Sequence, residues 1–245
     1  MSRCARSSAA WPALCLLLAA CGGGGSSSSD TPPPAPPDTP TGWWTGTTEG
    51  GRSVKALVLG SGAYYLYHED GLVYGQGSVT AAGTFGDAGA RHYRLAGGST
   101  QAGPLAATFT PRSRFDGTQT DTTGTLRWTA SWDSANAGTA TPGAVEGAYT
   151  GVFAAQPTAL PAVFAVQGDG RFAGLTGTCV FTGRLTPRVD VNAYDLTLSF
   201  GGFPCTTPNR DYAGVAYHDT TGRSLIGLAT TAARDNAALL LASRN

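Results

Sequence analysis

The stretch Gly42-Trp43-Trp44-Thr45-Gly46 recurs further along the chain as Gly147-Ala148-Tyr149-Thr150-Gly151, and this repetition decides the predicted architecture. That motif recurs after 105 residues (147 − 42), and a second recurs after 108 (167 − 59), because Leu59-Gly60-Ser61-Gly62-Ala63-Tyr64 is matched by Gln167-Gly168-Asp169-Gly170-Arg171-Phe172. Self-similarity at a long, nearly fixed period indicates two copies of one structural unit. The body is therefore predicted to be duplicated, with one repeat over residues 42–140 and the other over residues 141–245.

Both repeats carry the pattern of half-buried β-strands. Apolar and polar residues alternate over 125–132 in the first repeat and over 194–200 in the second, which is typical of strands with one buried face. Turn pairs such as Asp70-Gly71 and Asp169-Gly170 separate the short runs, and no amphipathic helix stands out. The predicted fold is all-β, with two tandem antiparallel β-barrel-like repeats of about eight strands each.

The chain begins with the features of an export signal. Arg3 and Arg6 precede an apolar run over 9–20, which is too short for a permanent membrane span. The run ends in Leu18-Ala19-Ala20-Cys21, which resembles the lipobox of bacterial lipoproteins. The resemblance implies a signal peptide over 1–20, lipidation of Cys21 and, because Gly22 follows, anchoring in the outer membrane.

Residues 21–41 follow as a lipidated cysteine and a Gly/Ser/Pro-rich segment with too few apolar residues to fold, so they are predicted to form a disordered tether. Cys4 and Cys15 leave with the signal. Cys179 and Cys205 then remain for chemistry in an oxidising envelope, and a disulfide between them is the plain inference. The alternative, a reactive or metal-binding thiol pair, would call for CxxC-like spacing or nearby histidines.

Charge and motif content disfavour several classes of function. The chain carries 16 basic and 16 acidic residues, and nucleic-acid binding is not expected without clustered basic residues. No catalytic residues, cofactor or metal site are predicted, since the common catalytic and phosphate-binding motifs are missing. Two weaker hypotheses stay open: a hydrolase built on His68 or His218, and calcium binding by Asp190, Asn192 and Asp195.

The tryptophans of the mature chain all lie in the first repeat. Core packing explains most aromatic rings, but an eight-stranded barrel also has room for one small ligand. The residues predicted to contact such a ligand are Trp44, Tyr65, Tyr67, Trp128 and Trp132. Adjacent residues such as Trp43 and Trp44 must face opposite sides of a strand, so the outward rings are expected to pack the two repeats together or to form a patch for a partner.

The motif Gly42-Trp43-Trp44 with Arg127, and Gly147-Ala148-Tyr149 with Arg244, resembles the GxW motif and terminal-strand arginine of calycins. In that superfamily the arginine packs over a tryptophan that plugs the barrel; the second repeat has tyrosine instead. The lipobox, tether and duplicated β body are also similar to uncharacterised proteobacterial outer-membrane lipoproteins and, more distantly, to the barrel domains of surface lipoproteins such as transferrin-binding protein B.

These resemblances imply binding rather than catalysis. The expected function is that of a non-catalytic, lipid-anchored module that binds a small apolar ligand or an envelope protein, facing the periplasm or the cell exterior. The alternative is a structural envelope component without a small ligand.

Overall fold

The computed structural model describes residues 39–95, 99–155, 158–219 and 223–245. The predicted signal peptide, the predicted lipidation site Cys21 and the predicted tether up to residue 38 lie outside the described residues. The end of the tether segment joins the body, because Pro40 is buried and its carbonyl accepts a hydrogen bond from Trp44 Nε1 at 2.8 Å. Within the described ranges, none of the helical segments has the length and apolar character needed to cross a membrane.

The prediction of an all-β fold is confirmed. The described residues form nineteen strands, and the only helical segments among them are two 3₁₀ turns, Ser134–Asn136 and Pro142–Val145. The strands are β1 (Gly42–Thr48), β2 (Ser53–Val58), β3 (Ala63–His68), β4 (Gly71–Gln76), β5 (Ser78–Ala81), β6 (Thr84–Asp87), β7 (Arg91–Arg94), β8 (Ser99–Ala102), β9 (Leu105–Thr110), β10 (Arg114–Asp121), β11 (Gly124–Trp132), β12 (Gly147–Ala155), β13 (Thr158–Val166), β14 (Arg171–Thr176), β15 (Cys179–Pro187), β16 (Tyr194–Phe200), β17 (Asp211–Asp219), β18 (Ser224–Thr230) and β19 (Ala237–Arg244).

The first repeat forms a curled antiparallel sheet of eleven strands in the order β5-β6-β9-β10-β11-β1-β2-β3-β4-β7-β8. This is more than the eight or so strands expected from the sequence. The additional strands arise because the chain between Ser78 and Ala102 is cut into four strands of four residues each. Two of them extend one edge of the sheet and two extend the other, so the sheet curls around its core as a half-barrel without a closing ladder.

The second repeat forms a closed barrel of eight strands, β12 to β19, as predicted. Closure is made by the pairing of its first and last strands, in which Tyr149 lies opposite Arg244. Inward side chains fill the interior with aromatic rings; Phe153, for example, lies 5.5 Å from Phe181 and 5.2 Å from Phe200 between ring centroids. The barrel therefore encloses a packed core.

The two sheets share a third apolar cluster, in which outward residues of both repeats meet. Trp43 faces the opposite way from Trp44, and its ring lies 4.5 Å from that of Tyr217 on β17. Its indole Nε1 also donates a hydrogen bond to the carbonyl of Asn192 at 2.9 Å. The expectation that one ring of the Trp43-Trp44 pair joins the two repeats is thus met at this position.

The two repeats differ at the residue that covers the ring of the first strand. In the second repeat Arg244 lies 5.6 Å from the ring centroid of Tyr149 and donates to its hydroxyl at 3.1 Å. In the first repeat the assignment of this role to Arg127 is wrong. Strand alternation turns Trp128 inward and Arg127 outward, where Arg127 is exposed and lies 3.6 Å from Glu49. Trp132 packs against Trp44 instead, at 5.3 Å.

Candidate functional site

The five aromatic residues predicted to contact a ligand lie on two faces of the first sheet. Trp44 and Trp128 are 0% and 2% exposed in the core inside the curl, and Trp132 is half-buried beside them. Tyr65 and Tyr67 are half-buried on the opposite face of β3, where they pack against the cluster between the repeats. The structure therefore does not bring the five together into one pocket, and a ligand-binding role for them stays a prediction.

Trp128 lies next to a groove. The groove has a volume of about 690 Å³ and is open to solvent over strands β6, β9, β10 and β11. Its lining consists mainly of small and polar residues, which include Thr84, Ala106, Thr108 and Thr118. With 2% of its surface exposed, Trp128 offers a ligand in this groove almost no ring to contact.

The closed barrel holds a small cavity at the end that carries the disulfide. Cys179 and Cys205 are bonded, which confirms the predicted pairing. The cavity beside them measures about 80 Å³, well below the several hundred Å³ of common ligand pockets. Residues that line it are Phe153, Thr176, Cys179, Phe200 and Thr207.

The interior of the first sheet contains a chain of hydrogen-bonded polar side chains. His68 Nε2 lies 3.1 Å from His92 Nε2, and His92 Nδ1 lies 2.8 Å from Asp121 Oδ2. The Asp70 backbone N–H donates to His68 Nδ1 at 3.3 Å. The side chains of His92 and Asp121 are 3% and 0% exposed, and His68 is 2% exposed. All four ring nitrogens are therefore engaged inside the fold.

The contacts show which ring nitrogens of His68 and His92 carry the protons. His68 Nδ1 accepts from Asp70, so its Nε2 carries the proton that is donated to His92 Nε2. His92 Nδ1–H then donates to the Asp121 carboxylate, and both imidazoles are neutral. Burial lowers the pKa of His68 to about 4, with repulsion from His92 in the same direction. Burial also lowers the pKa of His92.

Asp121 remains ionised in this environment. Burial favours its neutral form, but hydrogen bonds from Thr123 and His92 outweigh that effect and lower its pKa. The Thr123 backbone N–H lies 2.7 Å from Asp121 Oδ1. No ring nitrogen of His68 or His92 is left to take a proton from a substrate, so the geometry gives a hydrolase mechanism at His68 no support.

The remaining candidate residues lie apart from the hydrogen-bonded side chains of His68, His92 and Asp121. His218 is buried on β17 of the barrel, and burial lowers its pKa. Of the hypothetical calcium ligands, Asp190 and Asp195 both pair with the guanidinium of Arg188. The carbonyl of Asn192 accepts the Trp43 indole N–H. These contacts account for the polar pattern without a cation.

The most exposed apolar surface on any strand of the described chain lies on the outside of the barrel. Val163, Leu175 and Val180 lie directly opposite one another on β13, β14 and β15. Their exposures are 52%, 44% and 52%, and that of Val152 on β12 is 43%. We call the surface formed by Val152, Pro161, Val163, Leu175 and Val180 the outer apolar face.

The outer apolar face continues into the interface between the two repeats. Val152 lies opposite Leu241, and Leu241 lies opposite Ile226. Both Leu241 and Ile226 pack against the shared cluster that contains Trp43 and Tyr217. One side of the row is thus covered by the first repeat, while the other side remains exposed. At the far end Gly201 bonds to the carbonyl of Val180 and leads to Phe203, which is 96% exposed.

Comparison with known proteins identifies no family for this sequence. No family model matches the sequence, and a search of curated proteins finds no match. Among solved structures, the chain is similar to the isotype 1 transferrin binding protein B from serogroup B Neisseria meningitidis, with 9% sequence identity and a TM-score of 0.33. The match covers 79% of this chain and 58% of that one, so the chain spans little more than half of that protein's length.

Proposed function

We propose that this chain is a lipid-anchored outer-membrane lipoprotein whose all-β body is a non-catalytic module that binds another envelope protein. The Leu18-Ala19-Ala20-Cys21 motif supports the anchor, and the Gly/Ser/Pro-rich segment after it supports a body held clear of the bilayer. The engaged ring nitrogens of His68 and His92 favour binding over catalysis.

The outer apolar face is the observation that carries the proposal. Contiguous exposed apolar patches are uncommon on folded monomers, and larger ones mark interaction sites. In this molecule the same row is covered by the first repeat at its Leu241 end. A partner that extends this packing over Val163, Leu175 and Val180 would bury side chains that are 44–52% exposed.

A protein partner fits the molecule better than a small apolar ligand. The interiors of both repeats are filled by aromatic rings, and the barrel cavity measures about 80 Å³. The groove beside Trp128 is larger, but half of its lining residues are threonine or alanine. The outer apolar face extends across four neighbouring strands on the outside of the barrel, and an apolar centre of this kind is what protein interfaces bury.

Site-directed photocrosslinking tests the proposal in living cells. The full chain is produced in its native host with benzoylphenylalanine at position 163 or 180, and with the same probe at Thr110, an exposed residue of β9 in the first repeat. The expected result is a discrete protein adduct from 163 and 180 that the Thr110 probe does not give. Equal adducts from all three positions, or none, would overturn it and favour a structural envelope component.

A further inference from the structure

The outer apolar face has a pair of arginines at its other end. Arg171 and Arg184 lie directly opposite each other in the β14–β15 ladder, and both are exposed. Like charges directly opposite on one face of a sheet repel each other. Arg171 lies 3.3 Å from Asp169, but both partners are exposed, so that ion pair offsets little of the repulsion. The repulsion between Arg171 and Arg184 therefore destabilises the fold, and an anionic partner bound to both would offset it.

The arginine pair and the apolar row belong to one surface. Arg171 and Leu175 are four residues apart on β14, and Val180 and Arg184 are four apart on β15, so all four side chains face outward. A rise of 3.3 Å per residue separates the two features by about 13 Å along the strands. On the outward face of these strands only Ala173 and Thr182 lie between the two features, and both are small.

The charged side chains that these strands themselves contribute are all basic, and the acidic Asp169 lies in the turn before β14. Strands β12 to β15 contain no aspartate or glutamate, and their only charged residues are Arg171 and Arg184. Two adjacent guanidinium groups can hold a carboxylate with paired hydrogen bonds. Arginine beside an apolar patch is also the composition enriched at protein interfaces.

We propose that the partner of the outer apolar face presents an apolar patch with one or more carboxylates about 13 Å from it, and that Arg171 and Arg184 bind those carboxylates. This inference rests on the proposed function and specifies the partner's chemistry. The apolar row supplies contact area, while the arginine pair fixes orientation and discriminates against partners without the matching acid.

The test uses the full chain in isolated cell envelopes with the photocrosslinking probe at position 163. We compare the wild-type background with Arg171→Glu/Arg184→Glu, with Arg171→Lys/Arg184→Lys, and with Arg210→Glu, an exposed arginine outside strands β12 to β15. The expected result is a loss of at least about tenfold in adduct for the Glu pair. A smaller loss is expected for the Lys pair, which keeps the charge without the planar fork, and no change for Arg210→Glu.

Mass spectrometry of the crosslinked peptide identifies the occupant. A partner peptide with Asp or Glu close to the crosslinked residue supports the inference, as does an adduct that weakens as salt is raised from 50 to 500 mM. An adduct undiminished in the Glu pair overturns the inference but leaves the proposed function intact, whereas the lack of any adduct in the wild type overturns both. A phospholipid adduct, or one between two copies of this chain, overturns the inference as well.

Discussion

His68 Nε2 lies 3.1 Å from His92 Nε2, and the chain that they begin ends at Asp121 on a distant strand. Five strands separate β7, which carries His92, from β10, which carries Asp121, in the order of the first sheet. The bond between His92 and Asp121 therefore crosses the inside of the curl. The hydroxyl of Tyr64 on β3 makes a similar crossing when it donates to Asp87 on β6 at 2.9 Å. These polar contacts connect the two halves of the curled sheet, which no backbone ladder joins into a closed barrel.

Acid should destabilise the first repeat through the histidine pair. The folded-state pKa of His68 is about 4, below its ordinary value of 6.5, so between these values the unfolded chain binds a proton that the folded chain does not. Stability is unaffected by this group above pH 6.5 and falls as the pH drops towards 4, by about 3 kcal/mol in total. His92 adds to the loss, since burial lowers its pKa as well.

Urea unfolding of residues 39–245 at several pH values checks this expectation. His68→Phe should be less stable than the wild type at pH 7 but should lose less stability between pH 7 and 4. Ala107→Gly serves as the control, because it weakens the same core without removing a titratable group. Asp70, Arg52 and Arg94 also face the pair. An unchanged slope in His68→Phe would contradict the assignment of the acid dependence to His68.

The histidine chain could not be predicted from the sequence. The positions 68, 92 and 121 have no regular spacing, and they meet only because the sheet curls. The first repeat has more strands than the predicted eight for a related reason. Between Ser78 and Ala102 the strands have four residues each, too few to show a period of two. By contrast, the alternation over 125–132 fixed which rings point inward, and elimination of the other cysteines predicted the Cys179–Cys205 pair.

Loss of the Trp43 ring should separate the unfolding of the two repeats. Trp43→Ala removes both the contact with Tyr217 and the hydrogen bond to Asn192, at a cost of about 3 to 5 kcal/mol. Trp43→Phe keeps a ring and loses the hydrogen bond, which should cost roughly 1 to 2 kcal/mol. Urea unfolding should show one transition for the wild type and two for Trp43→Ala. A single, unshifted transition in Trp43→Ala would contradict a coupling role for this ring.

The disulfide should stabilise the barrel as a whole. Cys179 and Cys205 are 26 residues apart. Closing a loop of that length lowers the entropy of the unfolded chain, which raises its free energy by roughly 3 to 4 kcal/mol at room temperature. Cys179→Ala/Cys205→Ala should lose about that much free energy of unfolding in denaturant titrations. Reductant should destabilise the wild type and leave the double variant unchanged. Equal stability of the two oxidised proteins would refute this account.

The outer apolar face could not be predicted from the sequence either. In Thr158–Val166 the sequence TALPAVFAV is apolar at nearly every position, and such runs are typical of strands buried on both faces. The register shows that Phe164 points into the barrel while Val163 points out. The sequence instead favours a binding site among the tryptophans and tyrosines of the first repeat, of which Trp44 and Trp128 are buried in the core.

A matched pair of substitutions on β13 separates packing from exposure. Phe164 is 6% exposed and stacks on Tyr149 with ring centroids 5.1 Å apart, whereas its neighbour Val163 is 52% exposed. Phe164→Ala should lower the free energy of unfolding by about 3 to 5 kcal/mol. Val163→Thr keeps β-branching on a solvent-facing position and should change it by less than about 0.5 kcal/mol. If Val163→Thr instead destabilised the isolated body as much as Phe164→Ala, Val163 would belong to the fold, and the outer apolar face would have no surface left to offer a partner.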